Sequence, residues 1–287
     1  MKDVCVITGG GSGMGLATAR LMGKDYSIII CGRSVKKLEN AFDDLQAEGI
    51  DVEAFACDVS DYKSVENLAK YAKEKGRIAA VIHAAGMSPH MGNAKQIMEV
   101  NALGTVNINN AFFHVMEEGS CIIDVSSMSA YLTPKIIMPV NLYKYSVTNP
   151  ELFMTKMMRR VNLFPGNVRA GVAYGISKHF DIWFAKQDAA RFGKKGIRVV
   201  SVSPGNFETP MGELEKEEAD AYTKHCAIKR FGHVDEIASL FAYCASPSAG
   251  YLTGVDILCD GGLVASGVNP LMKNNINKFK NLNHNET

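Results

Sequence analysis

The sequence predicts an α/β fold: a single doubly wound domain with a parallel sheet of about seven strands flanked by helices. Three observations carry that expectation. Short runs of β-branched and apolar residues alternate with amphipathic stretches along most of the chain. A glycine-rich turn joins the first of these runs directly to a helical stretch. No internal repeat or second domain interrupts the rhythm. The chain has 287 residues, 47% of them hydrophobic and 21% charged, which suits one complete core.

Strands are expected at 4–8, 27–31, 52–57, 79–83, 121–125, 198–202 and 255–259, each short and rich in Val, Ile or Cys. Helices fill the intervals. Leu38, Phe42 and Leu45 recur at i, i+4 and i+7 and so share one helical face. A second helix, 234–246, starts after Gly232 and stops before Pro247. Two segments break the pattern. Residues 131–170 carry Pro134, Pro139, Pro150 and Pro165 around a methionine-rich stretch (Met154, Met157, Met158) that predicts one short helix. From about Asn269 the chain becomes polar and rich in asparagine, a tail that would be mobile or ordered by a subunit contact.

A formal net charge of +1 argues against a nucleic-acid surface. The apolar runs are strand-length, short of the roughly 20 residues that span a bilayer. The opening M-K-D-V-C-V-I-T-G-G leads straight into a strand and a glycine turn, so a cytoplasmic location is expected. The seven cysteines form no C-x-x-C or metal-spaced cluster, and Cys5, Cys31, Cys57, Cys121 and Cys259 fall in apolar runs. They read as buried, reduced thiols, with no metal site. Asn285 to Thr287 match a glycosylation triplet that has no meaning without a secretory signal.

Between the first strand and helix lies Thr8-Gly9-Gly10-Gly11-Ser12-Gly13-Met14-Gly15. Glycines let the backbone turn tightly and approach a pyrophosphate, whose charge then rests on the helix N-terminus. No G-K-[S/T] closes the run, which excludes a Walker-type phosphate loop. The second strand ends at Cys31-Gly32-Arg33-Ser34, where a site for NAD(H) would usually place an acid. Arg33 with Ser34 instead points to the 2′-phosphate of NADP(H), with Asp25 and Lys36 as alternative neighbours. Tyr174 and Lys178 stand at i and i+4, hence on one helix face. An ammonium there would favour the phenolate and draw the tyrosine below its reference value of about 10.

Taken in order, these motifs resemble the short-chain dehydrogenase/reductase family over residues 1 to about 264. The T-G-x-x-x-G-x-G motif runs from Thr8 to Gly15. The acid after the third strand is Asp58, followed by Val59. The N-N-A-G motif reads His83-Ala84-Ala85-Gly86, a departure at its first two positions. The helix asparagine is Asn101. Ser127 aligns with the catalytic serine, with Ser126 as the fallback. P-G-x-x-x-T reads from Pro204-Gly205 through Phe207 to Thr209, and R-F-G-H and D-G-G follow.

The resemblance implies a Rossmann fold and gives roles to residues. Tyr174 would be the general acid/base, Lys178 would lower its pKa and bind the nicotinamide ribose, and Ser127 would stabilise the developing alkoxide. Asn101 would hold a water linking Lys178 to solvent. Thr8, Gly9, Ser12, Gly13, Met14, Gly15, Asp58, Val59, Ala84, Ala85, Gly86, Tyr174, Lys178, Pro204, Gly205, Phe207 and Thr209 would contact the cofactor, with Asp58 on the adenine amino group. A homodimer or homotetramer is implied. The implied reaction interconverts a secondary alcohol and a ketone.

Met87, Ser88, His90, Met128, Ser129, Tyr131, Phe207 and Met211 should face the substrate, and they suit a bulky apolar molecule such as a hydroxysteroid or bile acid. Small or xenobiotic ketones are the alternative, and a catalytically silent, cofactor-sensing regulator is the rival class. An epimerase or dehydratase would need a larger C-terminal substrate domain. Ser127 and Tyr174 are 47 positions apart (174 − 127), far more than is usual in the family, and the excess is 131–170. Some bacterial hydroxysteroid dehydrogenase/carbonyl reductases carry a comparable insertion. It would act as a lid or a subunit contact.

Overall fold

The computed structural model describes residues 2–214 and 216–267, so the expected polar tail and the Asn285 triplet lie outside the described residues. Seven parallel strands form one sheet: β1 (Val4–Thr8), β2 (Ser27–Gly32), β3 (Val52–Ala56), β4 (Ile78–His83), β5 (Cys121–Val125), β6 (Arg198–Pro204) and β7 (Asp256–Cys259). Their order is β3-β2-β1-β4-β5-β6-β7, so the winding reverses between β1 and β4. Ligands of such sheets bind outside the carboxyl ends of the strands at this switch point.

Alternation along each strand builds two cores. Val4 and Val6 of β1 face one layer, formed by α3 (Tyr62–Lys75), α4 (Gly104–Val115) and α6 (Arg169–Gly193). Cys5 and Ile7 face the other, formed by α1 (Gly13–Met22), α2 (Val35–Ala47) and α8 (Val234–Ala245). Because side chains on a strand alternate with period 2, a sheet covered on both faces is buried at every position, as β1 is. Leu38 and Leu45 point into the α2 side of the core and Phe42 packs partly buried beside them, the face that their spacing predicts. Six of the seven cysteines are buried as free thiols. Among the described residues no helix is long and apolar enough to cross a membrane.

Residues 131–170 form more than the one short helix expected. They contain single helical turns at Val140–Tyr143 and Tyr145–Thr148, then α5 (Pro150–Val161). Local rules account for α5: the Asn149 side chain accepts from the Leu152 amide, Pro150 occupies the first turn, and Arg159 and Arg160 sit in the last. Its apolar face, Phe153, Met157 and Val161, is fully buried. Phe153 packs 4.8 Å from the Phe180 ring of α6, and Tyr143 lies edge-on to the same ring at 5.2 Å. The segment is therefore an added layer on the outer side of α6; farther along the chain comes α7 (Lys216–Thr223).

That layer is structural for α6. The Tyr143 hydroxyl reaches the Ile176 carbonyl oxygen at 3.4 Å, between Tyr174 and Lys178. Phe153→Ala is expected to cost about 3–5 kcal/mol, because the ring has no solvent to fall back on. Denaturant unfolding followed by circular dichroism measures it, and a loss below 1 kcal/mol would show that the layer peels away independently.

Candidate active site

The carboxyl ends of β1, β4, β5 and β6 open onto a continuous crevice made of two lobes. The first lobe, of about 330 Å³, is lined by Gly9, Gly11, Ser12, Gly13, Met14 and Gly15, by Val59, and by Ala84, Ala85 and Gly86. The second, of about 780 Å³, holds Ser127, Tyr174, Pro204, Gly205 and Phe207. Met14, Thr209 and Met211 line both lobes and so join them.

The glycine turn has steric reasons. Gly13 has φ of 55°, a left-handed conformation that favours glycine. A Cβ on Gly15 would stand 2.4 Å from the Gly9 carbonyl oxygen, so only glycine lets α1 begin so close to the loop. Ser12 is the N-cap of α1 and its side chain makes no capping bond, which leaves the first amides of α1 directed at the lobe. Arg33 and Ser34 line the same lobe at the end of β2, as does Lys37. Lys36 and Asp25 are not among its lining residues. Lys37 was not singled out from the sequence; it lies in the first turn of α2, whose N-cap Ser34 follows Arg33 directly, and that placement is the signal for it. An uncapped helix start, a glycine cradle and two cations with no carboxylate beside them among the described lining residues fit the phosphates of a nicotinamide dinucleotide.

Several expected cofactor residues act at one remove. Thr8 is buried; its hydroxyl lies 2.8 Å from His83 Nδ1 and accepts from the Ala85 amide at 3.0 Å. It pins the His83-Ala84-Ala85-Gly86 turn instead of lining the lobe. Asp58 does not line the lobe either. Its carboxylate accepts from the Ser60 amide and hydroxyl at 2.9 and 2.7 Å, while its neighbours Cys57 and Val59 reach the lobe.

The strand end of β5 distinguishes the two serines. The Ser126 hydroxyl donates to the Lys178 carbonyl oxygen at 2.7 Å, so its proton is committed. Ser127 Oγ accepts from the Ser129 amide at 3.1 Å, and its own proton is uncommitted among the described residues. Lys178 lies behind the cavity, 6% exposed, and donates to the Val125 carbonyl oxygen at 2.7 Å and to Asp181 Oδ2 at 3.0 Å. Asn101 sits in a π-helical segment, Met98–Leu103, and clamps Met87: its Oδ1 accepts from the Met87 amide at 2.8 Å and its Nδ2 donates to the Met87 carbonyl oxygen at 3.0 Å. Single π-turns of this kind recur at functional sites.

The substrate-side expectations divide. His90, Met128, Ser129, Phe207 and Met211 line the large lobe. Met87 does not, because Asn101 draws it into the core, and Ser88 is buried with it. Tyr131 turns outward and donates to Asp256 Oδ2 at 2.5 Å. In their place come Leu132, Thr133, Pro134 and Ile137 from the front of the added segment, Asn167 and Val168 from its end, and Tyr222 and Phe231. Among the described residues neither lysine, arginine nor carboxylate lines this lobe. No sequence periodicity marks these positions, since they meet only after the segment folds back on α6.

His83, buried beside the centre, is a strongly perturbed base. Burial, with a smaller contribution from the Lys178 charge, lowers it to about 3. Such a group stabilises the fold fully above the unfolded imidazole's value of about 6.5 and loses that contribution as pH falls from there towards 3. The contribution is up to about 5 kcal/mol. His83→Asn should therefore flatten the fall in Tm between about pH 6.5 and 4. Parallel acid melting curves for variant and parent would count against this account.

Comparison with known proteins agrees with this geometry. A family model described as short chain dehydrogenase matches residues 3–140, and one described as Enoyl-(Acyl carrier protein) reductase matches 155–264. The chain is 27% identical over 270 residues to "Short-chain dehydrogenase/reductase bsc3" of Alternaria brassicicola, covering 92% of this chain and 96% of that one. It is 28% identical over 267 residues to "3-oxoacyl-[acyl-carrier-protein] reductase FabG" of Thermotoga maritima, covering 91% and 97%. An actinorhodin polyketide ketoreductase solved with NADPH superposes with a TM-score of 0.71 at 23% identity, over 91% of this chain and 97% of that one.

Proposed function

Because the chain belongs to the short-chain dehydrogenase/reductase family, we propose that it is an NADP(H)-linked reductase of a neutral, largely apolar ketone, running in reverse as an alcohol dehydrogenase. One observation carries the reading: Tyr174 and Ser127 share a cavity of about 780 Å³, lined by no lysine, arginine or carboxylate among the described residues, that opens directly into the glycine-turn lobe. The cofactor, when bound, supplies the hydride.

The residues divide the remaining work. Tyr174 donates a proton to the carbonyl oxygen during reduction and takes one from the alcohol during oxidation. Ser127, whose proton is uncommitted, donates a hydrogen bond to the same oxygen as negative charge develops on it. Lys178 keeps a positive charge beneath the ribose position, one turn from Tyr174 on the same helix face. Arg33 and Lys37 take the 2′-phosphate, and the amides at the start of α1 take the pyrophosphate. The methionine and aromatic walls suit a flat, bulky substrate, and a hydroxysteroid or bile acid is the class proposed. Free buried thiols fit a reducing, cytoplasmic setting.

Following NADPH and NADH oxidation with ketosteroids, bile-acid ketones and simple diketones tests the reading. NADPH is expected to be preferred, and Arg33→Ala should raise its KM about tenfold or more while leaving NADH nearly unaffected. Equal use of both cofactors by the parent would refute the assignment of Arg33. Tyr174→Phe is expected to lower kcat by at least about 10³-fold with NADPH affinity unchanged. A variant that keeps most of its kcat would remove Tyr174 from the chemistry.

A further inference from the structure

A carboxylate stands against Lys178 that the four residues of the reductase centre do not explain. Asp181 is 1% exposed, yet its Oδ2 accepts from Lys178 Nζ at 3.0 Å and its Oδ1 accepts from the Thr105 hydroxyl at 3.0 Å. Thr105 also reaches the Asn101 carbonyl oxygen at 2.7 Å. Lys178 is thereby joined through Asp181 and Thr105 to the π-helical turn that carries Asn101. Lys178 Nζ is held just below Gly86, where a Cβ would come within 3.7 Å of it.

We propose that Asp181 is a positioning residue of this centre, whose ionised carboxylate holds the Lys178 ammonium at the ribose side of the crevice. The inference rests on the reductase reading for its kinetic consequence, although its geometry does not. A hydroxyl carries one proton, so Thr105 cannot donate to Asp181 and Asn101 at once. With Asp181 ionised, the hydroxyl serves its carboxylate. With Asp181 protonated, the acid can donate to Thr105, which then donates to Asn101, and the attraction for Lys178 is gone.

The surroundings set where this exchange happens. Lys178 and Thr105 favour the ionised form of Asp181, while burial, the dominant effect, and Asp256 on β7 oppose it, leaving it at about 6. Asp124 on β5 and Tyr143 in the added layer face the same region; burial raises both, and Asp181 raises them further. His83 on β4 faces Lys178 and is held neutral at this pH. Among the described residues, Asp181 is therefore the group that exchanges its proton near pH 6 in direct contact with Lys178.

The test follows kcat for ketone reduction and NADPH affinity by fluorescence from pH 5 to 8. The parent should lose turnover below an acid limb near pH 6. Asp181→Asn imitates the protonated state, so its kcat should be about tenfold lower at pH 8 and show no acid limb. Thr105→Val removes a bond that favours the carboxylate and should move the limb up by about half a pH unit. An Asp181→Asn variant with the parent's limb overturns the proposal. If that variant does not fold by circular dichroism, Thr105→Val decides, and an unmoved limb overturns it.

A parent that reduces no ketone refutes the reductase reading alone. NADPH binding then decides on Asp181: the ratio of variant to parent dissociation constants should shrink as pH falls through 6. Taking the ratio cancels the titration of the NADPH phosphate. A ratio constant with pH overturns the proposal.

Discussion

The site depends on a double tie between the end of β5 and the middle of α6. Ser126 donates its hydroxyl proton to the Lys178 carbonyl oxygen, and the Lys178 ammonium donates to the carbonyl oxygen of Val125. The last residue of the strand and the one after it thus hold one residue of the helix by its side chain and by its backbone. Ser127 leaves the strand at the next position, so its distance from Tyr174, one helical turn before Lys178, follows from this junction. Burying the ammonium is costly even with Asp181 beside it, because desolvation can exceed what the pair returns. Its retention makes sense as placement, since a hydrophobic pair would hold the two elements together at less cost.

The added layer serves the same junction from behind and in front. Its back half covers α6 with Phe153, Met157 and Val161, and Tyr143 reaches the turn between the tyrosine and the lysine. Its front half supplies Leu132, Thr133, Pro134 and Ile137 to the cavity wall. Arg160 joins the halves by donating to the Ile136 and Ile137 carbonyl oxygens. Gly175 marks how tightly the front fits, for a Cβ there would lie 2.2 Å from Thr133 Oγ1. The wall beside the tyrosine is therefore packed directly on the helix that carries it. At the other side of the cavity Gly232 has the same meaning: a Cβ there would enter the Phe207 ring at 2.3 Å.

The sequence by itself determined the sheet, the glycine turn and the ordered motifs. Each depends on near neighbours in the chain: alternating apolar residues in strands such as Cys121–Val125, positive φ at Gly13, the i, i+4 spacing of Tyr174 and Lys178. Strand ends fell within a few residues of their expected places, for the Gly and Asp residues that stop them are local signals. Tertiary structure alone decided which serine keeps a free proton, because that turns on a bond between residues 52 positions apart. It turned Tyr131 and Met87 away from the cavity and brought in the proline-broken segment, whose residues carry no period that shows which face they will meet. It also placed Asp181 beneath the lysine. In the sequence, Asp181 is one more acid on a helix; buried between α4, α6 and β5, it is a charge held, among the described residues, by Lys178 and Thr105.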